Sequence, residues 1–194
     1  TQNRINYRNK LKIPKDALVV GHVGRFNVQK NHEYLLQVFE ELYKNDKNTY
    51  LVLVGTGEKI DEIKDLVRKS TIRDNVIFTG VIDNVADWLS AFDVMLLPSL
   101  YEGLPMVVIE WQIAGLPCIV SDTVTKECAI TPLVKFKSLK EGSESWARNV
   151  RDISLQDREK NKKMLFSSIR KAGYDIEFGA KRLREKYIEL AGKN

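Results

Sequence analysis

Residues 18–32 read Leu18-Val19-Val20-Gly21-His22-Val23-Gly24-Arg25-Phe26-Asn27-Val28-Gln29-Lys30-Asn31-His32. The stretch opens on an apolar run that reads as a buried strand, passes through a loop carrying Arg25 and Lys30, and reaches a helix. Over 32–45 the residues Leu35, Leu36, Val38, Phe39 and Leu42 recur at helical spacing. A continuously apolar strand followed by an amphipathic helix is one unit of a parallel sheet covered on both faces. The same succession returns along the chain. Strands are predicted at 50–55, 75–80, 94–98, 117–121 and 133–136, and helices at 58–69, 85–91 and 104–114. Three more helices close the chain, near 145–153, 155–171 and 176–191. Right-handed crossovers then give an α/β fold, an open doubly wound parallel sheet of about six strands. The strands are too few for an eight-stranded barrel.

Length and composition agree with one domain. The chain has 194 residues, 43% hydrophobic and 29% charged, ordinary for a soluble globular protein. No apolar run reaches the ~18–20 residues of a membrane helix, and residues 1–14 are polar and basic, without a signal-peptide core. Cys118 and Cys128 fit neither a metal knuckle nor a disulfide framework, which points to a reducing, cytoplasmic compartment. The net charge of +5 is concentrated at the ends: residues 1–15 carry +5, residues 158–194 carry +6, and the middle carries −6. Such a distribution argues against nucleic acid as a partner. It leaves two readings of the basic ends, solvated helix faces or peripheral membrane contact with anionic headgroups.

In an open sheet of this kind ligands bind beyond the carboxyl ends of the strands. That rule selects the loops 24–31, 55–58, 80–84 and 98–105. In the first, Arg25 and Lys30 suit a diphosphate, although solvated loop residues would look the same. Gly55-Thr56-Gly57 lacks the third glycine of a dinucleotide fingerprint. The fourth loop, Pro98-Ser99-Leu100-Tyr101-Glu102-Gly103-Leu104-Pro105, leads into a helix. Pro105 suits the first helical turn, Gly103 admits a ligand to the backbone, and the amides of Met106 and Val107 are left as anion donors. Val107, Val108 and Ile109 are poor helix formers, so burial must hold this helix. Glu102 and Glu110 stand about a diphosphate's length apart at ~1.5 Å per residue. They could accept hydrogen bonds from a sugar on one side and a ribose on the other, or be unrelated acids.

These motifs together resemble the retaining glycosyltransferases of the "glycosyl transferases group 1" family, which has the GT-B fold, and specifically the Rossmann-like C-terminal half of such enzymes. The residues that carry the resemblance are Gly24-Arg25 with Lys30, Val54-Gly55-Thr56-Gly57, Phe78-Thr79-Gly80, Pro98-Ser99 through Glu102-Gly103-Leu104-Pro105, Glu110, and Ala114-Gly115-Leu116-Pro117 followed by Ser121-Asp122. The segment 116–127 looks most like a branch that builds capsular or exopolysaccharides. Pro105 departs from the pattern, which often has a second glycine there.

The resemblance implies roles by position. Arg25, Lys30 and Glu102 would form the catalytic set, the two bases on the donor diphosphate and Glu102 on the donor-sugar hydroxyls. Glu110 would bind the ribose, and the backbone near Ile82 the nucleobase. Gly24, Gly55, Gly103, Leu104, Pro105, Met106 and Val107 would complete the donor site. The substrate would be a UDP- or GDP-sugar, with no cofactor and no essential metal. An N-terminal acceptor domain would be missing, so that residues 1–194 are the donor-binding domain of a longer enzyme and are inactive alone. Two rivals share parts of this pattern, a sugar-nucleotide epimerase with the same pocket and a non-catalytic binding module. His22 reads as a satisfied core histidine, His32 as a helix-start residue, and Trp88, Trp111 and Trp146 as packing residues.

Overall fold

Six short apolar segments form one sheet in the computed structural model, which describes residues 2–153 and 158–192. They are β1 (Leu18–Val23), β2 (Thr49–Val54), β3 (Val76–Gly80), β4 (Val94–Leu97), β5 (Cys118–Ser121) and β6 (Val134–Lys137). The order is β3-β2-β1-β4-β5-β6 and every pairing is parallel. The doubly wound sheet is therefore as the sequence predicts. The order reverses between β1 and β4, where Val20 pairs with Val94 and Gly21 with Met95.

Eight α-helices among the described residues surround the sheet: α1 (Gln2–Lys10), α2 (His32–Asn45), α3 (Ile60–Lys69), α4 (Val85–Trp88), α5 (Met106–Ile113), α6 (Gly142–Asp152), α7 (Arg158–Lys171) and α8 (Ile176–Ala191). Residues 155–157 of the predicted helix 155–171 lie outside the described residues. The strand period of two divides the core into two layers. Val20, Leu51, Leu53, Leu96 and Ile119 face α2, α3 and α6 through Leu35, Phe39, Ile63 and Trp146. Val19, Val52, Val54, Met95, Leu97 and Val120 face the opposite layer, with Val108 and Trp111 of α5. The three tryptophans pack: Trp111 and Trp146 are buried, and the Trp88 ring lies 4.9 Å from Tyr7. Cys118 and Cys128 are free, buried thiols whose burial raises both pKa values, that of Cys128 to about 11.

The amino-terminal segment corrects the reading of its charge. Residues 2–10 form α1, and Arg8 is only 1% exposed. Its guanidinium donates to Ala91 O (3.0 Å), Lys15 O (2.9 Å), Ala17 O (2.8 Å) and Asp93 Oδ2 (2.7 Å). Arg4, one turn earlier on the same helix face, pairs with the other Asp93 oxygen. Asp93 also accepts from Val19 N at 2.8 Å. Two of the five basic residues at this end therefore hold the helix to the sheet, and Arg8 is sealed from water. The i,i+4 arginines were visible in the sequence, but their distant acidic partner was not.

Helix α5 is held by its surroundings. Its β-branched residues are kept helical by burial as expected, with Val108, Ile109, Trp111 and Gln112 inside. Gly115, at φ 73°, ends it: Gly115 N donates to Gln112 O and Leu116 N to Trp111 O, each at 2.9 Å. That is the left-handed helix stop for which glycine is preferred. The Gln112 amide is saturated. Nε2 donates to Val108 O and Cys128 O, and Oε1 accepts from Ile130 N, Thr131 N and Thr131 Oγ1.

Removing Asp93 leaves a buried cation without its counter-charge, so Asp93→Ala should lower the unfolding free energy by about 3–5 kcal/mol in urea titrations. Gln112→Leu preserves bulk but orphans the Thr131 amide and leaves the Thr131 hydroxyl without its acceptor, with an expected loss of about 2–4 kcal/mol in the same assay.

Candidate functional site

β1 and β4 are neighbours, so their carboxyl ends deliver two loops to one place, the topological switch point where open sheets bind ligands. The loops are tied by backbone and side chain. Leu100 N donates to Gln29 O at 2.9 Å, and Asn31 Nδ2 donates to Pro98 O at 3.1 Å. Asn31 adopts the left-handed conformation (φ 54°) that turns the chain into α2. The β2 loop is pressed against them. Gly55 has φ 129°, and a Cβ there would lie 2.1 Å from Gly24 O. Gly24 and Gly55 thus make a close backbone crossing that no larger residue at 55 allows.

Lys30 and Glu102 meet across this junction, Nζ to Oε1 at 2.6 Å, with side chains 13% and 9% exposed. Ser99 Oγ donates to the same oxygen at 2.8 Å, and Gln29 Nε2 donates to Oε2 at 3.0 Å. Arg25 lies elsewhere, 71% exposed, with Nε 3.1 Å from Glu58. A backbone hydrogen bond, with Arg25 adding to it, holds the Glu58 carboxyl below its ordinary pKa. The two bases named from the sequence are therefore each held by a separate carboxylate. Gln29 and Ser99 were missed. Serine three residues before a glutamate is a local signal, whereas Gln29 comes from another loop and left none.

Helix α5 begins at Met106, two residues later than predicted. Pro105 has ψ 95° and sits at the cap, outside the first turn, so its missing N–H removes no helical amide. Val108 N donates back to Pro105 O. The amides of Gly103, Leu104, Met106 and Val107 have no acceptor among the described residues. A Cβ on Gly103 would meet nothing within 4 Å, so internal packing does not require glycine there. Glu110 is exposed one turn from Met106 on the same face, and its carboxylate has no partner among the described residues. Leu104 and Met106 are also exposed. Ile82 is half-buried against the α5 layer, and its backbone makes no hydrogen bond among the described residues. Free backbone donors at a helix start, with a lysine and two carboxylates around them, can hold an anion bordered by hydroxyl groups.

Two histidines lie at the base of this loop. His22 Nδ1 donates to Leu96 O at 2.8 Å, but His22 Nε2 and both nitrogens of His32 have no partner among the described residues. His22 is therefore satisfied on one side only, and His32 is buried as well as being the first residue of α2. The His32 ring stacks on Phe26 at 4.1 Å and meets His22 edge-on at 4.8 Å. Burial drives the His22 pKa well down, and burial with nearby Lys30 brings that of His32 to about 4. Both are neutral in the fold, so the unfolded chain binds more protons in this range. Their contribution is complete above pH ~6.5 and is lost as pH falls towards 4, at up to ~1.4 kcal/mol per pH unit for each group. Chemical denaturation across that window should show this slope, and His32→Phe should remove the share of His32 and leave that of His22.

Comparison with known proteins fits this geometry. The profile of the glycosyl transferases group 1 family matches residues 3–165. The putative glycosyltransferase EpsF of Bacillus subtilis is 36% identical over 166 residues, 85% of this chain and 43% of EpsF. Among solved structures, HepE of Anabaena in complex with UDP and glucose superposes with a TM-score of 0.75 at 15% identity, over 96% of this chain and 52% of HepE. The C-terminal domain of a glycosyl transferase group 1 protein, LpcC of Francisella tularensis, superposes at 0.68 with 18% identity, over 87% of this chain and 92% of that domain. This chain thus spans about half the length of EpsF and of HepE. With a Rossmann-like sheet of the GT-B kind and that match over most of its residues, the chain belongs to the glycosyl transferases group 1 family.

Proposed function

We propose that this chain is the donor-binding half of a retaining glycosyltransferase, which takes a sugar from a nucleotide diphosphate for a saccharide or lipid-linked acceptor in bacterial surface polysaccharide synthesis. The observation that carries the reading is the Lys30–Glu102 pair at the β1/β4 switch point, on the loop that runs on to the unpaired amides of Met106 and Val107. Bacterial relatives named for polysaccharide steps support the pathway class. They include the lipopolysaccharide core biosynthesis glycosyltransferase LpsD of Rhizobium meliloti and the O-antigen biosynthesis glycosyltransferase WclY of Escherichia coli. The exposed apolar residues of α8 (Ile176, Leu183, Tyr187 and Leu190) would face the acceptor domain of the full enzyme.

On this reading the donor diphosphate lies over the start of α5. Its negative charge meets the Met106 and Val107 amides and the positive end of the helix. Lys30 turns from Glu102 to a phosphate oxygen, and Arg25 leaves Glu58 to do the same. As the bond from the anomeric carbon to the phosphate oxygen breaks, the electron pair stays on that oxygen. The fixed positive groups stabilise it more than they stabilise the intact donor. Glu102 accepts from sugar hydroxyls and, being negative, also stabilises the oxocarbenium-like ring. Glu110 accepts from the ribose, and the backbone at Ile82 meets the base. This scheme assigns leaving-group charge to Arg25, Lys30 and the amides, with no metal ion. Lys30 is held on a nearly buried carboxylate in the fold, so it is positioned before a donor arrives.

Calorimetry of the 194-residue chain with UDP, GDP and ADP tests the proposal. One of the three should bind at micromolar to millimolar concentration and raise the melting temperature as mass action requires. Glu110→Ala should weaken that binding about tenfold, the effect of losing hydrogen bonds to a charged acceptor. Transfer to an acceptor should be absent from the chain alone. No binding up to millimolar, together with an inert Glu110→Ala, would sink the reading.

A further inference from the structure

Glu102 is gripped from two directions by groups that belong to different loops. Ser99 and Lys30 occupy Oε1, and among the described residues Gln29 alone occupies Oε2. The Gln29 amide is itself fixed, since Nε2 also donates to Tyr101 O at 3.0 Å, so both of its N–H bonds are engaged. A carboxylate offers about four acceptor directions, and three are filled here. The remaining one is on Oε2, beside the Gln29 amide.

We propose that Gln29 is a positioning residue that aims the Glu102 carboxylate at the donor sugar and so lets this site distinguish a nucleotide sugar from the bare nucleotide. The inference rests on the donor-binding function proposed for the chain. There Lys30 moves to the phosphate, and Oε1 loses its cationic partner. Ser99 then holds one oxygen and Gln29 the other. Ser99 acts from Glu102's own loop, three residues away. Gln29 acts from the loop that carries Lys30, so it ties the phosphate-binding loop to the sugar-binding carboxylate. The backbone bond from Leu100 N to Gln29 O survives any side-chain substitution, and it keeps the loops together when the amide is lost. Orientation of Glu102 and integrity of the junction are thereby separable.

The test is calorimetry of the same chain with UDP, UDP-glucose and UDP-galactose, with GDP and GDP-mannose in parallel. Gln29→Met keeps the length of the side chain and removes its donors. It should bind the bare nucleotide within about twofold of the unaltered chain and lose about five- to tenfold for the preferred nucleotide sugar, one charge-assisted hydrogen bond's worth. Equal losses for nucleotide and nucleotide sugar would make Gln29 a loop scaffold and overturn the inference. So would no loss for either, or an unaltered chain that binds both alike. Failure of the unaltered chain to bind any nucleotide is a separate result: it removes the donor-binding function and this inference with it.

Discussion

The seam between β1 and β4 is the constraint on which the rest of the molecule depends. It is fastened at both ends. At the amino end Asp93, just before β4, accepts from Val19 of β1 and from the two arginines of α1. At the carboxyl end the β1 loop and the β4 loop share the Leu100–Gln29 backbone bond, the Asn31–Pro98 bond and the Lys30–Glu102 pair. Between these ties the strands are apolar and pair directly. A parallel sheet whose order reverses at this seam leaves a crevice above it, because the helices that follow β1 and β4 lie on opposite faces. The crevice is a consequence of chain direction, and side chains then furnish it.

The two ionic ties differ in what they do. Asp93 and Arg8 are nearly sealed from water and surrounded by backbone carbonyls, so they fix geometry and cannot be exchanged for a ligand. Lys30 and Glu102 retain slight exposure and sit at the crevice mouth. A pair of this kind contributes little net stability, because losing water costs about as much as the attraction returns. On the proposed reading its value lies in keeping two opposite charges poised where a ligand carrying both an anion and hydroxyl groups can separate them. The neutral histidines beneath it suit the same arrangement. A protonated imidazole at His22 or His32 would add positive charge next to Lys30 in a site sealed from water, and burial prevents it.

Much of the fold was legible because its signals are local. Continuous apolar strands and the helical spacing of Leu35, Phe39 and Leu42 fixed the α/β class, the parallel sheet and the loops that carry the site. The poor intrinsic helicity of Val107-Val108-Ile109 was equally plain, a defect that only burial could correct. The motif residues Lys30, Glu102 and Glu110 were identifiable one by one, since type and spacing are properties of the chain itself.

Tertiary structure decided who meets whom. Arg8 and Asp93 are 85 residues apart and Gln29 and Glu102 are 73 apart, and no periodicity relates such positions. Whether a basic residue lies in water or in the core depends on the partner that folding brings to it, so Arg4 and Arg8 were misread while exposed Lys10, Lys12 and Lys15 were not. Pro105 is similar: its residue type suggested a place inside the first turn, and the backbone put it one step outside. Sequence determines which groups are available and how often they recur. Folding determines their company, because the free energy of a charge or a hydrogen-bond donor is set by what lies within a few ångströms of it.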